Sequence, residues 1–385
     1  MSTMTPASSA VSKPKKQKTN AYPFYSPRFW HGMELGPWLK LCVRHHFRVH
    51  LFRWPMAALI TPTAMMNSSM SFLQRAMYGK QIAETPLEEP PVFIVGHWRS
   101  GTTHLHELLC CDERFAWPST YECFAPHHFL VSESWLPKML WWLLPSKRPM
   151  DNMAAGFERP QEDEFALVAL GAPTPYTRMA FPNEPPEYTE LLDMVDVPEP
   201  VMQSFQQAVR QFLQALTLRK KKRLMLKSPP HTGRVGVLAE MFPGARFVHI
   251  SRDPMSLFPS TMRLWQSLDA AQSLQAPSHA DLEEMVFSWL EKMYAGFEAQ
   301  RKTIDPAHLY DLRYEDLVRD PIGEVRAIYE RLELGDFEAM RPQLEAYLAT
   351  QKSYSPNKHE LEPELREKIR ARWGGYMERY GYTDE

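Results

Sequence analysis

Apolar residues along the chain fall into two kinds of pattern. VFIV at 92–95, RLML at 223–226 and RFVHI at 246–250 are short runs, each followed by a stretch with helical apolar spacing. A strand with one solvated face alternates apolar and polar residues. Runs without that alternation are buried on both faces, as in the interior of a parallel sheet. HLYDLRYEDL at 308–317 adds a further strand and turn, and another strand is expected shortly before Glu122. The pattern predicts an α/β fold in which a central parallel sheet is flanked by helices.

Between these runs, residues 121–222 read as a helical insertion rich in aromatics. PVMQSFQQAVRQFLQALTL at 200–218 is an amphipathic helix, and RKKKR at 219–223 reads as its solvated end, where cations suit the helix dipole. Upstream, residues 21–88 form a helical aromatic segment, while 1–20 lack an apolar stretch and read as a disordered tail. The aromatic, basic stretch 24–60 is expected to pack across the core, with an amphipathic helix at a membrane surface as the alternative. No apolar run reaches the ~18 residues of a membrane span.

Composition narrows the class. With 385 residues, 44% of them hydrophobic, the chain suits a soluble globular protein, the main domain running from 89 to 385. A net charge of -2 provides no global field for nucleic acid, so any anion site must come from locally clustered basic groups. Cys42, Cys110, Cys111 and Cys123 have no paired spacing and read as reduced thiols of a cytoplasmic protein. No secretory leader pattern is visible at the start of the sequence.

The first apolar run leads into GHWRSGTTH at 96–104. A strand, a small polar turn and a helix start aim successive backbone N–H groups at one point, which suits an anion. Arg99 adds positive charge, and Ser100, Thr102 and Thr103 add hydroxyls around Gly101. The Gly96 to Gly101 spacing is that of a P-loop, yet Thr102 stands where a nucleotide triphosphatase carries lysine. After the RFVHI run, Ser251-Arg252-Asp253 offers an arginine where such an enzyme has its magnesium-binding acid. A sulfuryl group carries less negative charge than a phosphoryl group, and protein donors alone can serve it.

Arg252 ends a strand, and Ser260 lies eight residues on in the following helix, so a guanidinium fork and a hydroxyl can meet at one phosphate monoester. Together, FIVGHWRSGTTHLHELL and RFVHISRDPMSLFPSTMRLW resemble the 5′-phosphosulfate and 3′-phosphate segments of sulfotransferases that use 3′-phosphoadenosine 5′-phosphosulfate (PAPS). The likeness is to bacterial-type members, with features of tyrosylprotein and carbohydrate sulfotransferases, and covers about 91–320. It implies a P-loop-like three-layer fold, PAPS as donor without a metal, and donor contacts from Arg99, Ser100, Gly101, Thr102, Thr103, Arg252 and Ser260. The late basic loop that closes over the nucleotide in cytosolic relatives is missing its usual pattern; Lys358, with Lys352 and Asn357, is the candidate replacement.

Three residues are candidates for the chemistry. The resemblance points to Glu122 as base, and aromatic neighbours would raise its pKa. His231 is the second, although it stands four residues after Lys227 where cytosolic relatives have two. Lys227, at a strand's carboxyl end, is placed to steady the departing phosphate. Glu162, Asp163 and Glu164 open a helix, and Glu162 is a candidate for orienting an acceptor hydroxyl.

The sequence therefore reads as a sulfotransferase acting on the hydroxyl, or amine, of a small-molecule or lipid acceptor of apolar or amphipathic character. Peripheral membrane contact is an open alternative to a purely cytoplasmic location. A non-catalytic nucleotide- or membrane-surface-binding protein and a P-loop kinase are the competing readings.

Overall fold

The computed structural model describes residues 26–143, 156–351 and 361–382. The tail at 1–20 and Lys352, Asn357 and Lys358 lie outside them.

Five parallel strands form one sheet: β1 (Val92–Val95), β2 (Phe115–Ala116), β3 (Arg223–Lys227), β4 (Arg246–Ser251) and β5 (Leu309–Arg313), in the order β2-β3-β1-β4-β5. β1 pairs with β3 on one side (Phe93 opposite Leu226) and with β4 on the other (Phe93 opposite Phe247). Every residue of β1 is buried, as a run without alternation requires. β5 is an edge strand, and its Tyr310 and Asp311 are only partly covered or exposed.

Side chains of the strands divide between two cores. Phe93, Val95, Leu224, Leu226 and Phe247 enter one buried cluster, while Val92, Ile94, Met225, Val248 and Ile250 enter another. The period-two alternation of a strand sends neighbours to opposite faces, so this is a helix–sheet–helix sandwich. The larger cluster also takes in Trp30, Trp38 and Ile60, so the N-terminal segment packs into the same core.

That segment consists of a short helix, Leu35–Arg44, and a long one, Trp54–Glu84. The amphipathic reading at 200–218 becomes a helix over Glu199–Lys220, with Phe205, Val209, Phe212 and Leu216 inward. The basic run at its end is largely exposed, as a solvated helix end should be, with several of its cations also tied to partners. Lys220 pairs with Glu122 at 2.7 Å, Arg219 with Glu133 at 2.8 Å, and the Lys222 ammonium donates to the Glu113 carbonyl.

β1 lies at a topological switch: the chain leaves it for the β2–β3 side and returns to its other side as β4. In open parallel sheets, ligands bind outside the carboxyl ends of the strands at such a point.

Candidate active site

The turn after β1 is built around two glycines at positive φ. Gly96 has φ 148°, and a Cβ there would lie 2.4 Å from the Ile250 carbonyl oxygen and 2.7 Å from Ser100 Oγ. Gly101 has φ 107°, and its Cβ would lie 2.4 Å from the Tyr314 ring. Arg99 itself adopts φ 71°, a conformation uncommon for a residue with a Cβ and concentrated at functional turns. The helix Thr102–Leu109 then begins without a side-chain cap, so its leading N–H groups face the cleft. Ser100 Oγ is buried and, among the described residues, has no hydrogen-bond partner.

The second segment meets this turn directly. The Arg252 guanidinium donates to the Arg99 carbonyl at 2.8 Å and lies over the Tyr314 ring at 4.4 Å. Arg99 Nε donates to Ser260 Oγ at 3.0 Å, and Asp253 caps the helix Pro254–Gln272 by accepting from the Met255 and Ser256 amides. Arg99, Gly101, Thr102, Thr103 and Arg252 border one cavity of about 310 Å³, which also reaches Leu264, Leu317, Val318 and Leu348. Its lining thus combines the basic and hydroxyl groups of the turn with aliphatic side chains. An uncapped helix start, an unpartnered buried hydroxyl and two guanidinium groups form a donor set that fits a doubly anionic nucleotide.

Glu162 borders the same cavity. The Lys227 ammonium, at the carboxyl end of β3, donates to Glu162 Oε1 at 2.7 Å and reaches Thr103 Oγ1 at 3.4 Å. Tyr176 Oη donates to Glu162 Oε2 at 2.7 Å and accepts from the Trp98 indole at 2.8 Å. Burial pushes the Tyr176 phenol well above its ordinary range, and the neighbouring Glu162 adds to the effect.

The two neighbouring acids pair inward. Asp163 accepts from the His231 ring at 2.6 Å and from Ser228 Oγ at 3.0 Å. Burial raises the Asp163 carboxyl, but the charge and hydrogen bonds of His231 and Ser228 outweigh it and leave it below the ordinary value. Glu164 makes a two-point contact with Arg234, at 2.7 and 3.1 Å, and both side chains are fully buried. Three successive acids, Glu162, Asp163 and Glu164, therefore meet Lys227, His231 and Arg234 in order. Only the first pair has a member that borders the cavity.

Glu122 is elsewhere. It sits in a capping box with Ser119 at the start of the helix Thr120–Phe124 and pairs with Lys220. Burial raises its pKa, with Lys220 opposing the shift, but it is not among the side chains lining the cavity. His231 is likewise fully buried, edge-on to Phe93, and away from the lining. Glu122 does follow β2 as expected, but of the two glutamates it is Glu162, bonded to Tyr176 and Lys227, that borders the cavity. Among the described residues no group of three His, Cys, Asp or Glu side chains could hold a metal ion.

A family model described as "Sulfotransferase family" matches residues 90–338, which span both anion-binding segments and all of the acid–base pairs. The chain belongs to the sulfotransferase family. The sulfotransferase is 42% identical over 353 residues to the omega-hydroxy-beta-dihydromenaquinone-9 sulfotransferase Stf3 of Mycobacterium bovis, covering 92% of this chain and 91% of that one. The Mycobacterium tuberculosis protein of the same name matches equally well. Among solved structures, STF9 from Mycobacterium avium is similar at TM-score 0.65 and 18% identity, covering 86% of each chain. STF1 from Mycobacterium tuberculosis is similar at TM-score 0.59 and 19% identity, over 90% of this chain and 92% of that one. These likenesses place the fold among P-loop-like sulfotransferases, and the enzyme class read from the sequence, a PAPS-dependent sulfotransferase, stands.

Proposed function

We propose that this sulfotransferase moves the sulfuryl group of PAPS to the hydroxyl of an apolar, lipid-like acceptor, with Glu162 as general base. The observation that carries this reading is that Glu162 borders the same cleft as Arg99 and Thr103 and pairs at 2.7 Å with Lys227, which itself reaches Thr103 Oγ1 at 3.4 Å. PAPS supplies an activated sulfuryl group and leaves as adenosine 3′,5′-bisphosphate.

In this reading the amides at the start of the helix Thr102–Leu109, with Ser100, Thr102 and Thr103, hold the 5′-phosphosulfate. Arg252 and Ser260 hold the 3′-phosphate, with Arg99 spanning both. Lys358 lies outside the described residues and is kept as a candidate for the same phosphate on sequence grounds. Glu162 takes the acceptor's hydroxyl proton as the new oxygen–sulfur bond forms. Lys227 donates to the bridging oxygen that keeps the electron pair when the old oxygen–sulfur bond breaks. Tyr176 and Lys227 each occupy one oxygen of Glu162, which fixes its orientation and leaves a lone pair on each for the acceptor. His231, through Asp163, is a positioning residue behind this pair, and Glu122 supports the fold.

The aliphatic side chains in the cavity lining support an apolar acceptor. The menaquinone-derived hydroxy compound named for the 42%-identical relative supports the same class, in the cytoplasm or at a membrane surface.

Calorimetry with adenosine 3′,5′-bisphosphate tests the donor site. Arg252→Ala is expected to weaken binding by roughly a hundredfold, the loss of a charge-assisted two-point contact. Unchanged affinity in that variant would remove the assignment.

A further inference from the structure

The helix Trp54–Glu84 is inside out. Its inward positions are Ala57, Ile60, Ala64, Asn67, Ser71 and Gln74, at helical spacing, and three of these six are polar. Two of the polar ones are held by the fold: Asn67 donates to the His31 and Met33 carbonyls, and Gln74 accepts from the Leu130 amide. The opposite side carries Leu59, Met65, Met66, Phe72, Leu73 and Met77, all exposed. At 100° per residue these positions cluster about half a turn from the buried ones. Leu51 and Phe52, just before the helix, extend the surface and are 74% and 83% exposed. A 31-residue helix is about 46 Å long, so the apolar face runs along one side of the molecule.

Charge identifies what covers it. Residues 35–83 contain Lys40, Arg44, Arg48, Arg53, Arg75 and Lys80 and no aspartate or glutamate, in a chain of net charge -2. Arg44 is compensated by Glu187, Arg48 and Arg75 lie near Glu184 and Glu34, and the exposed Lys80 lies 3.8 Å from the exposed Glu84 at the end of the helix. Lys40 and Arg53 have no acid partner among the described residues; Arg53 donates instead to the Ala270 carbonyl. A second copy packed here about a two-fold axis would set this cationic segment against itself. An anionic surface would neutralise it. No helix among the described residues is long and apolar enough to cross a membrane, so this face would lie on a bilayer and not span it.

We infer that the outer face of the helix Trp54–Glu84 seats the enzyme on an anionic lipid bilayer, apolar side chains entering the acyl boundary and Lys40, Arg53 and Lys80 meeting headgroup phosphates. The seat is mechanically tied to the catalytic cleft. The His50 amide donates to the Leu274 carbonyl and Arg53 to that of Ala270, anchoring the seat to the end of the helix that carries Ser260 and Leu264. Such a seat holds the cleft close to the phase in which a lipid-like acceptor dissolves.

The inference is independent of the acceptor assignment, because binding is read with neither donor nor acceptor present. The full-length protein is sedimented with vesicles of equal parts phosphatidylglycerol and phosphatidylcholine, and with vesicles of phosphatidylcholine alone. Binding to the mixed vesicles is expected to be at least tenfold tighter. Phe72→Ser/Met77→Ser and, separately, Lys40→Glu/Lys80→Glu are each expected to weaken it at least tenfold, with melting temperature and adenosine 3′,5′-bisphosphate affinity unchanged. No sedimentation with either vesicle would overturn the inference. So would a dimer in analytical ultracentrifugation that Phe72→Ser/Met77→Ser dissociates, since a second copy would then cover the face.

Discussion

The Lys227 ammonium and the Glu162 carboxylate stand 2.7 Å apart, Glu162 bordering the cleft and the buried lysine reaching to within 3.4 Å of Thr103 Oγ1 in the turn after β1. In the proposed mechanism Glu162 takes the acceptor's proton and Lys227 meets the negative charge left on the departing oxygen. General bases and cations in such positions each contribute on the order of a hundredfold or more to rate.

Glu162→Gln is accordingly expected to lower kcat by roughly 10²–10⁴-fold, the range for a lost general base. Affinity for adenosine 3′,5′-bisphosphate should remain within about threefold, since Gln keeps the shape and one acceptor oxygen. Glu122→Gln should behave in the opposite way. It weakens the capping box with Ser119 and the ion pair with Lys220, lowering stability by about 1–3 kcal/mol while leaving kcat largely intact. Steady-state kinetics and thermal melts on the two variants separate the roles, and a larger kcat loss in Glu122→Gln would reverse them.

The sheet and the strand–turn–helix after β1 were legible in the sequence because their signals are local. β1, β3 and β4 are buried on both faces, so their apolar runs are unbroken, and the turn needs Gly96 and Gly101 at fixed positions. β2, two residues long, carries almost no pattern of its own. The acid facing the cleft was harder to assign because Glu122 and Glu162 both sit at helix starts, where acids are favoured on dipole grounds alone. What separates them is which cation each meets across the fold: Lys220 at the end of a helix, or Lys227 at the end of β3. The ordered match of Glu162, Asp163 and Glu164 to Lys227, His231 and Arg234 was present in the sequence as two spaced triplets. Nothing local pairs them. The basic run at 219–223 is solvated as read, and only its carbonyl and carboxylate partners, distant in sequence, were hidden.

Arg234 and Glu164 form a fully buried ion pair, with Arg234 Nε donating to the Leu191 carbonyl and its guanidinium over the Phe205 ring. Arg234→Ala leaves a buried carboxylate without its counter-ion and is expected to cost about 3–5 kcal/mol. Replacing both partners with methionine should cost less than the single change, because no isolated charge remains. Chemical denaturation of the three proteins checks this order. Equal losses in the single and double variants would mean that packing, not charge, sets the cost.

Acid should destabilise the protein before its carboxylates titrate. His97 and His106 are fully buried, and burial holds each pKa down to about 3, against an ordinary 6.5. With the folded pKa depressed, the unfolded chain takes up protons first as pH falls below 6.5. The stability held above pH 6.5 is therefore lost progressively between 6.5 and about 3. Each histidine contributes a slope on the order of 1 kcal/mol per pH unit. Unfolding free energy measured at pH 7.5, 6.0 and 5.0 should fall steadily, and a flat profile would show that neither ring is held neutral.

The account turns on sulfuryl transfer from PAPS to an apolar hydroxyl. Incubating the purified enzyme with ³⁵S-labelled PAPS and a panel running from an ω-hydroxylated isoprenoid quinone to simple phenols and sugars tests it most directly, with products identified by mass. The account predicts label on the long-chain apolar alcohol, little on the sugars, and loss of transfer in Glu162→Gln. Label on the polar acceptors alone, or transfer undiminished in Glu162→Gln, would contradict it.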